Sequence, residues 1–266
     1  MEKIPLTEET IFSKVDSTEG NVGFMFIGRT TPPTIGHITV FLQMIELRDT
    51  IRRETGRDIP IMLNLSPSSP TNIKTSASVF EDPLSCAKKI EYIESMLGKL
   101  GKLDDVHPVC IENGPTNFRG IQLAEFLEGK DLHTIIVFIG RDRFDTEKYT
   151  VQKLMNSYTV ISKSVNIEVF VLDRVKKDKT AGKEIRKIIM TKSEDEAVES
   201  LNELYTYDGH PLLDEGELRE LYNIVRQGMD KGEKALSEVK KSKTKKGKVG
   251  KGKKTRKHLK RRLFKI

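Results

Sequence analysis

The stretch Gly28 to His37, reading GRTTPPTIGH, holds the residue types best suited to chemistry. Its Thr34-x-Gly36-His37 spacing sets a hydroxyl and an imidazole one helical turn apart, on the same side of a helix opening. Gly28 tolerates backbone angles that other residues avoid, and Pro32 and Pro33 stiffen the loop without adding N–H groups that need partners. Gly36 lets a ligand come close to the helix start, where Thr34 and His37 supply two side-chain donors. Such an opening suits phosphate, because the free N–H groups and the positive dipole end of a helix face whatever lies above them. A Gly-His pair before a helix can equally be a turn with a capping histidine, and further signals must decide between the two.

The elements that would hold this turn are legible on either side. The apolar run Val22 to Ile27 predicts a buried strand, and an amphipathic pattern from about Ile38 to Glu54 predicts a helix stopped by Gly56. Ile59 to Leu65 reads as a second strand, followed by a polar loop from Ser66 to Ser78 that holds Lys74. Asp82 and Pro83 are expected to open a helix as its cap and first residue, and that helix carries Lys88, Lys89 and Ile90. Val106 to Ile111 reads as a third strand and Asn117 to Glu128 as a helix. Thr134 to Ile139, nearly all apolar and β-branched, is the clearest strand, and it runs into Gly140-Arg141-Asp142-Arg143-Phe144. Ile167 to Leu172 makes a fifth strand ahead of DKTAGKEIRKII, and two helices, Ser193 to Tyr205 and Asp214 to Ala235, flank a break at Gly209-His210-Pro211. Strands alternating with helices over short links predict an α/β fold, a doubly wound parallel sheet of about five strands. In such sheets ligands sit at the carboxyl ends of the strands, where GRTTPPTIGH and GRDRF both fall.

The decapeptide resembles the signature of the nucleotidyltransferase superfamily with the T/HxGH motif, which includes nicotinamide-mononucleotide and phosphopantetheine adenylyltransferases and the cytidylyltransferases. Gly28, Pro32, Thr34, Gly36 and His37 fall in register without a gap, and Arg29 resembles the arginine of the GRFQP form. Gly140, Asp142 and Arg143 match the Gly-x-Asp that often follows the superfamily's later strand, although Asp142 also suits a helix cap. Ile185 and Arg186 match the end of a Ser-x-Thr-x-Ile-Arg pattern, whereas Ala181 and Lys183 stand at its two hydroxyl positions. Thr180 can restore one hydroxyl, and Lys183 can hold phosphate as a point charge. Phage-type members have Lys-Asn before a Pro-Leu helix start; Glu81-Asp82 stands there here, so Lys74 or Lys88 would have to meet the substrate.

The resemblance implies transfer of NMP from an NTP, ATP favoured and CTP open, to a phosphorylated small-molecule acceptor, with release of pyrophosphate. Thr34, His37 and Arg186 would be catalytic. Gly28, Arg29, Thr30, Gly36, Gly140, Asp142, Arg143, Thr180 and Lys183 would bind nucleotide. Mg²⁺ would come bound to the NTP phosphates. The departures at 181 and 183 leave open a second reading, a catalytically degenerate nucleotide-binding protein of the same fold.

Composition bounds the rest. No apolar run approaches the roughly 20 residues that span a bilayer, and the opening MEKIPLTEET lacks a secretory pattern. Cys86 and Cys110 have no metal spacing and read as small buried side chains of a reducing compartment. The expected setting is therefore cytoplasmic, or a host nucleus or virion for a viral protein. The net charge of +7 hides a division: residues 240–266 carry 15 positive charges and no acid, so residues 1–239 stand at −8. The expected organisation is an N-terminal extension (1–20), a nucleotidyltransferase-like domain (21–236) and a disordered basic tail (237–266), similar to the tails of large DNA virus and phage proteins. Such a tail suits sequence-indifferent contact with nucleic acid.

Overall fold

The apolar runs become five strands in the computed structural model: β1 (Asn21–Gly28), β2 (Ile61–Leu65), β3 (His107–Cys110), β4 (Leu132–Gly140) and β5 (Asn166–Leu172). The structure describes residues 5–28, 30–65, 83–110, 132–144, 165–172 and 182–231, without the side chains of 142 and 143. The four pairings within this sheet are parallel, in the order β3-β2-β1-β4-β5. This is the α/β sheet the alternation predicts. Strands covered on both faces cannot alternate polar and apolar residues, and β4 is accordingly buried without a break from Thr134 to Ile139. The order has a functional consequence. From β1 the chain moves outward to β2 and β3, then returns to β4 on the other side of β1, so the strand order reverses between β1 and β4. The crevice outside the carboxyl ends of those two strands is the ligand position of open α/β sheets.

Helices α1 (Glu8–Ser17), α2 (Ile35–Thr55), α3 (Cys86–Lys99), α4 (Arg141–Phe144), α5 (Gly182–Thr191), α6 (Glu194–Leu204) and α7 (residues 215–231) complete the described elements, with a small hairpin between α6 and α7. All of them except α4 bury side chains in one core with Phe24, Phe26, Phe138 and Phe170. Ring centroids of Phe24 and Phe138 lie 4.7 Å apart, and those of Phe26 and Phe41 lie 5.0 Å apart, which joins β4, β1 and α2. The opposite face buries Met25, Met62, Val137, Ile139 and Val169, with Phe144 of α4 against it. Gly56 ends α2 in the left-handed conformation, φ +72°, as its place in the sequence predicts.

Three local readings need correction. The first 20 residues are not only an extension: α1 buries Ile11 and Val15 completely, and the Leu6 N–H donates to the Val169 carbonyl at 2.7 Å. Two buried positions in ten residues make too faint a period to see in sequence. Helix α3 begins at Cys86 rather than Pro83, and Ser85 caps it by accepting from the Lys88 N–H at 3.2 Å. Cys86 and Cys110 are not separate thiols. They form a disulfide, S–S 2.06 Å, that ties the start of α3 to the end of β3. The helix expected over Asn117 to Glu128 and the basic tail lie outside the described residues.

Candidate active site

The site is built on the turn between β1 and α2. Thr34 is the N-cap of α2 in extended backbone, φ −136° and ψ 164°, and forms a capping box with His37. The Thr34 N–H donates to His37 Nδ1 at 3.1 Å, Thr34 Oγ1 lies 2.8 Å from the same nitrogen, and the His37 backbone N–H donates to the Thr34 carbonyl at 2.9 Å. A backbone N–H can only donate, so Nδ1 is an acceptor and the neutral ring carries its proton on Nε2. The cap thus fixes the tautomer, and it engages Thr34's hydroxyl with the ring rather than leaving two independent donors. His37 also stands edge-on to Phe26, centroids 6.3 Å apart, which orients the ring over the end of β1. By helix geometry the N–H groups of Ile35 and Gly36 have no acceptor within α2. No acidic residue occupies the first turn of α2, so the helix supplies no carboxylate of its own against its positive end.

The second motif segment reaches this turn through the fold. Ile185 and Ile189 bury one side of α5, and Arg186, four residues after Gly182, is carried to the turn. Its Nη1 donates to the Thr31 carbonyl at 2.6 Å. Gly182 is required there, since a Cβ at this position would collide with the same carbonyl oxygen. The end of α5 is held by Arg226 of α7, which donates to the Ile189 and Met190 carbonyls at 3.1 and 3.0 Å. One brace was invisible in the sequence: Tyr205, wholly buried, donates its hydroxyl to the Pro33 carbonyl at 2.6 Å. Burial drives its pKa upward, so the phenol remains a donor. The two carbonyls on either side of Pro32 therefore accept from Arg186 and Tyr205, and neither contact has a sequence signal, because the partners lie 155 and 172 positions away.

The remaining sequence-chosen residues divide. Gly28 ends β1 and Gly140 ends β4, on adjacent strands of the crevice. Asp142 and Arg143 fall within α4 directly after Gly140. Lys183 is exposed on the first turn of α5. Lys88 is held by Glu91 and Glu220 at 2.8 and 2.7 Å, which raise its pKa, Glu220 first, and its ammonium braces α3 against α7. Among the described residues the buried lysine is its neighbour Lys89, 0% exposed, which the sequence placed on this helix without a role. Arg29, Lys74 and Thr180 lie outside the described residues.

No protein-family model matches this chain, and no curated protein sequence matches it. Among solved structures it is similar to a Vibrio parahaemolyticus chain assigned as a nicotinate-nucleotide adenylyltransferase, with 14% identity and a TM-score of 0.40, covering 76% of this chain and 99% of that one. It is also similar to Plasmodium falciparum nicotinic acid mononucleotide adenylyltransferase complexed with NaAD, with 11% identity and a TM-score of 0.47, covering 77% and 98%. Both neighbours are adenylyltransferases by description, and at these identities and TM-scores the likeness assigns nothing to this chain. The chain's own parallel strand order β3-β2-β1-β4-β5 defines a Rossmann-like α/β fold, with a capped strand-to-helix turn at its switch point. No helix among the described residues is long and apolar enough to cross a membrane.

Proposed function

We propose that the protein is a nucleotidyltransferase that moves NMP from an NTP, ATP in preference to CTP, onto a phosphorylated small-molecule acceptor. The observation that carries this reading is the capping box at the β1–α2 turn, which holds His37 with its proton on Nε2 beside the β1/β4 switch point. An acceptor phosphate oxygen attacks the α-phosphorus in line as the bond to the β-phosphate oxygen breaks, and pyrophosphate leaves. No covalent enzyme intermediate is needed. The protein's part is alignment and charge stabilisation. His37 Nε2–H and the first N–H groups of α2 donate to the phosphate oxygens as charge builds, and Arg186 holds the turn in register while adding positive charge. Mg²⁺ would arrive on the NTP phosphates, as it does where one or two groups and substrate phosphates hold it rather than a protein cage. The metal would supply charge neutralisation there.

The test is incubation of the full chain with each NTP and a panel of phosphorylated acceptors while pyrophosphate release is followed. Acceptor-dependent release supports the proposal. Nucleotide binding without release under any pairing supports the second reading, a nucleotide-binding protein without turnover, for which Ala181 and Lys183 at the hydroxyl positions speak. Failure to bind any NTP rejects both.

A further inference from the structure

Thr30 departs from two local rules at once. It lies in the left-handed region, φ +42°, although it is β-branched, and at 1% exposure its Oγ1 is buried without a hydrogen-bond partner. It is the one such orphan among the described residues. The strain persists because the backbone beside it is fixed from outside, by Arg186 on the Thr31 carbonyl and Tyr205 on the Pro33 carbonyl. A buried hydroxyl without a partner and a strained backbone both cost stability, and such costs gather where a site is pre-shaped for a ligand.

Resting on the nucleotide-site reading above, we propose that Thr30 Oγ1 is a dedicated donor to a phosphate oxygen of the bound nucleotide. Thr34's hydroxyl is engaged in the cap with His37, so it does not compete for this role. The helix opening that follows has no acid in its first turn, so the charge brought to the turn is anionic. A hydroxyl shielded from water makes a stronger bond to an anion than an exposed one does. The contact adds a phosphate-reading side chain that depends neither on the T/HxGH pair nor on Arg186.

The experiment compares the full-length parent, Thr30→Val and Thr30→Ser. Valine keeps the shape and the β-branch, so it retains the backbone strain and removes only the hydroxyl. Melting temperature is measured without nucleotide, and affinities for ATP and adenosine by calorimetry. The expected result has opposite signs: Thr30→Val melts at or above the parent temperature, yet binds ATP about tenfold or more weakly, as for loss of a hydrogen bond to a charged group. Adenosine affinity is unchanged, and Thr30→Ser binds ATP within about threefold of the parent. Parental ATP affinity in Thr30→Val overturns the proposal. So does a marked fall in its melting temperature, which would mean that the hydroxyl has a structural partner. An equal loss on adenosine overturns the phosphate assignment. A parent protein that binds no ATP rejects the nucleotide site itself, a failure separate from that of Thr30.

Discussion

The two ring nitrogens of His37 can be tested separately, because only Nδ1 is engaged by the cap. Nδ1 accepts from the Thr34 N–H and so belongs to the fold, while the proposed function assigns Nε2–H to the phosphate. Asparagine places its amide oxygen near the position of Nδ1 and has nothing at Nε2. His37→Asn is therefore expected to keep the cap, with a melting temperature close to the parent's, and to lose about 10²-fold or more in pyrophosphate release. His37→Ala loses both, with a further cost of about 1 kcal/mol from the broken cap. Thermal melts and turnover of the two variants, measured side by side, check this. Parental turnover in a folded His37→Asn would reduce the histidine to a capping residue.

Among the elements, α3 is held from both ends, and each attachment can be tested. At its start, the Cys86–Cys110 disulfide closes a loop with a sequence separation of 24. Loop-closure entropy for that length is worth about 3 kcal/mol. Cys86→Ser with Cys110→Ser should lower the unfolding free energy by about this amount, and the parent under strong reductant should fall to the level of the double variant. Denaturant unfolding of the three samples measures it. Toward the other end, Glu217 of α7 accepts from Ser95 Oγ, from the Asp214 N–H at 2.7 Å and from Lys99 Nζ at 3.0 Å. Burial is the largest single influence on this carboxyl and pushes its pKa up, but the hydrogen bonds from Ser95, Asp214 and Lys99 outweigh it, and the net shift is below the ordinary 4.5. A depressed carboxyl stabilises the fold above its unfolded pKa and ceases to do so as pH falls through its folded value. Glu217→Gln should thus lower the melting temperature at pH 7, and the two melting curves should converge as pH drops below about 4.5. A constant gap down to pH 2 would assign the loss to packing rather than charge.

At the scale of the whole molecule, charge separates two parts of the chain: residues 1–239 are at −8, while residues 240–266 carry 15 positive charges and no acid. Duplex DNA or RNA affinity should reside almost wholly in that basic segment, fall steeply with salt and ignore sequence. A chain ending at Glu238 should lose it and keep its NTP affinity; salt titrations of both chains on two unrelated duplexes decide the matter. Strong binding by the shortened chain would point to a basic groove elsewhere. How much of the rest was written in the sequence depends on range. Residues 21–65 were legible because β1, the turn and α2 are contiguous, and periodicity and Gly/Pro punctuation act over a few residues. The strands β4 and β5 were legible for the same reason, as unbroken apolar runs. The disulfide was not, since nothing in a spacing of 24 residues marks two cysteines as neighbours until α3 packs on β3. Nor were Tyr205, Arg186's hold on Thr31, or the orphan hydroxyl of Thr30, because each depends on which distant side chain the packed helices bring to the turn. Local pattern by itself determined the strand-to-helix turn at the end of β1. Which contacts hold the loop in a strained shape was decided only by tertiary packing, since the partners of Thr31 and Pro33 are set by distance in space and not along the chain.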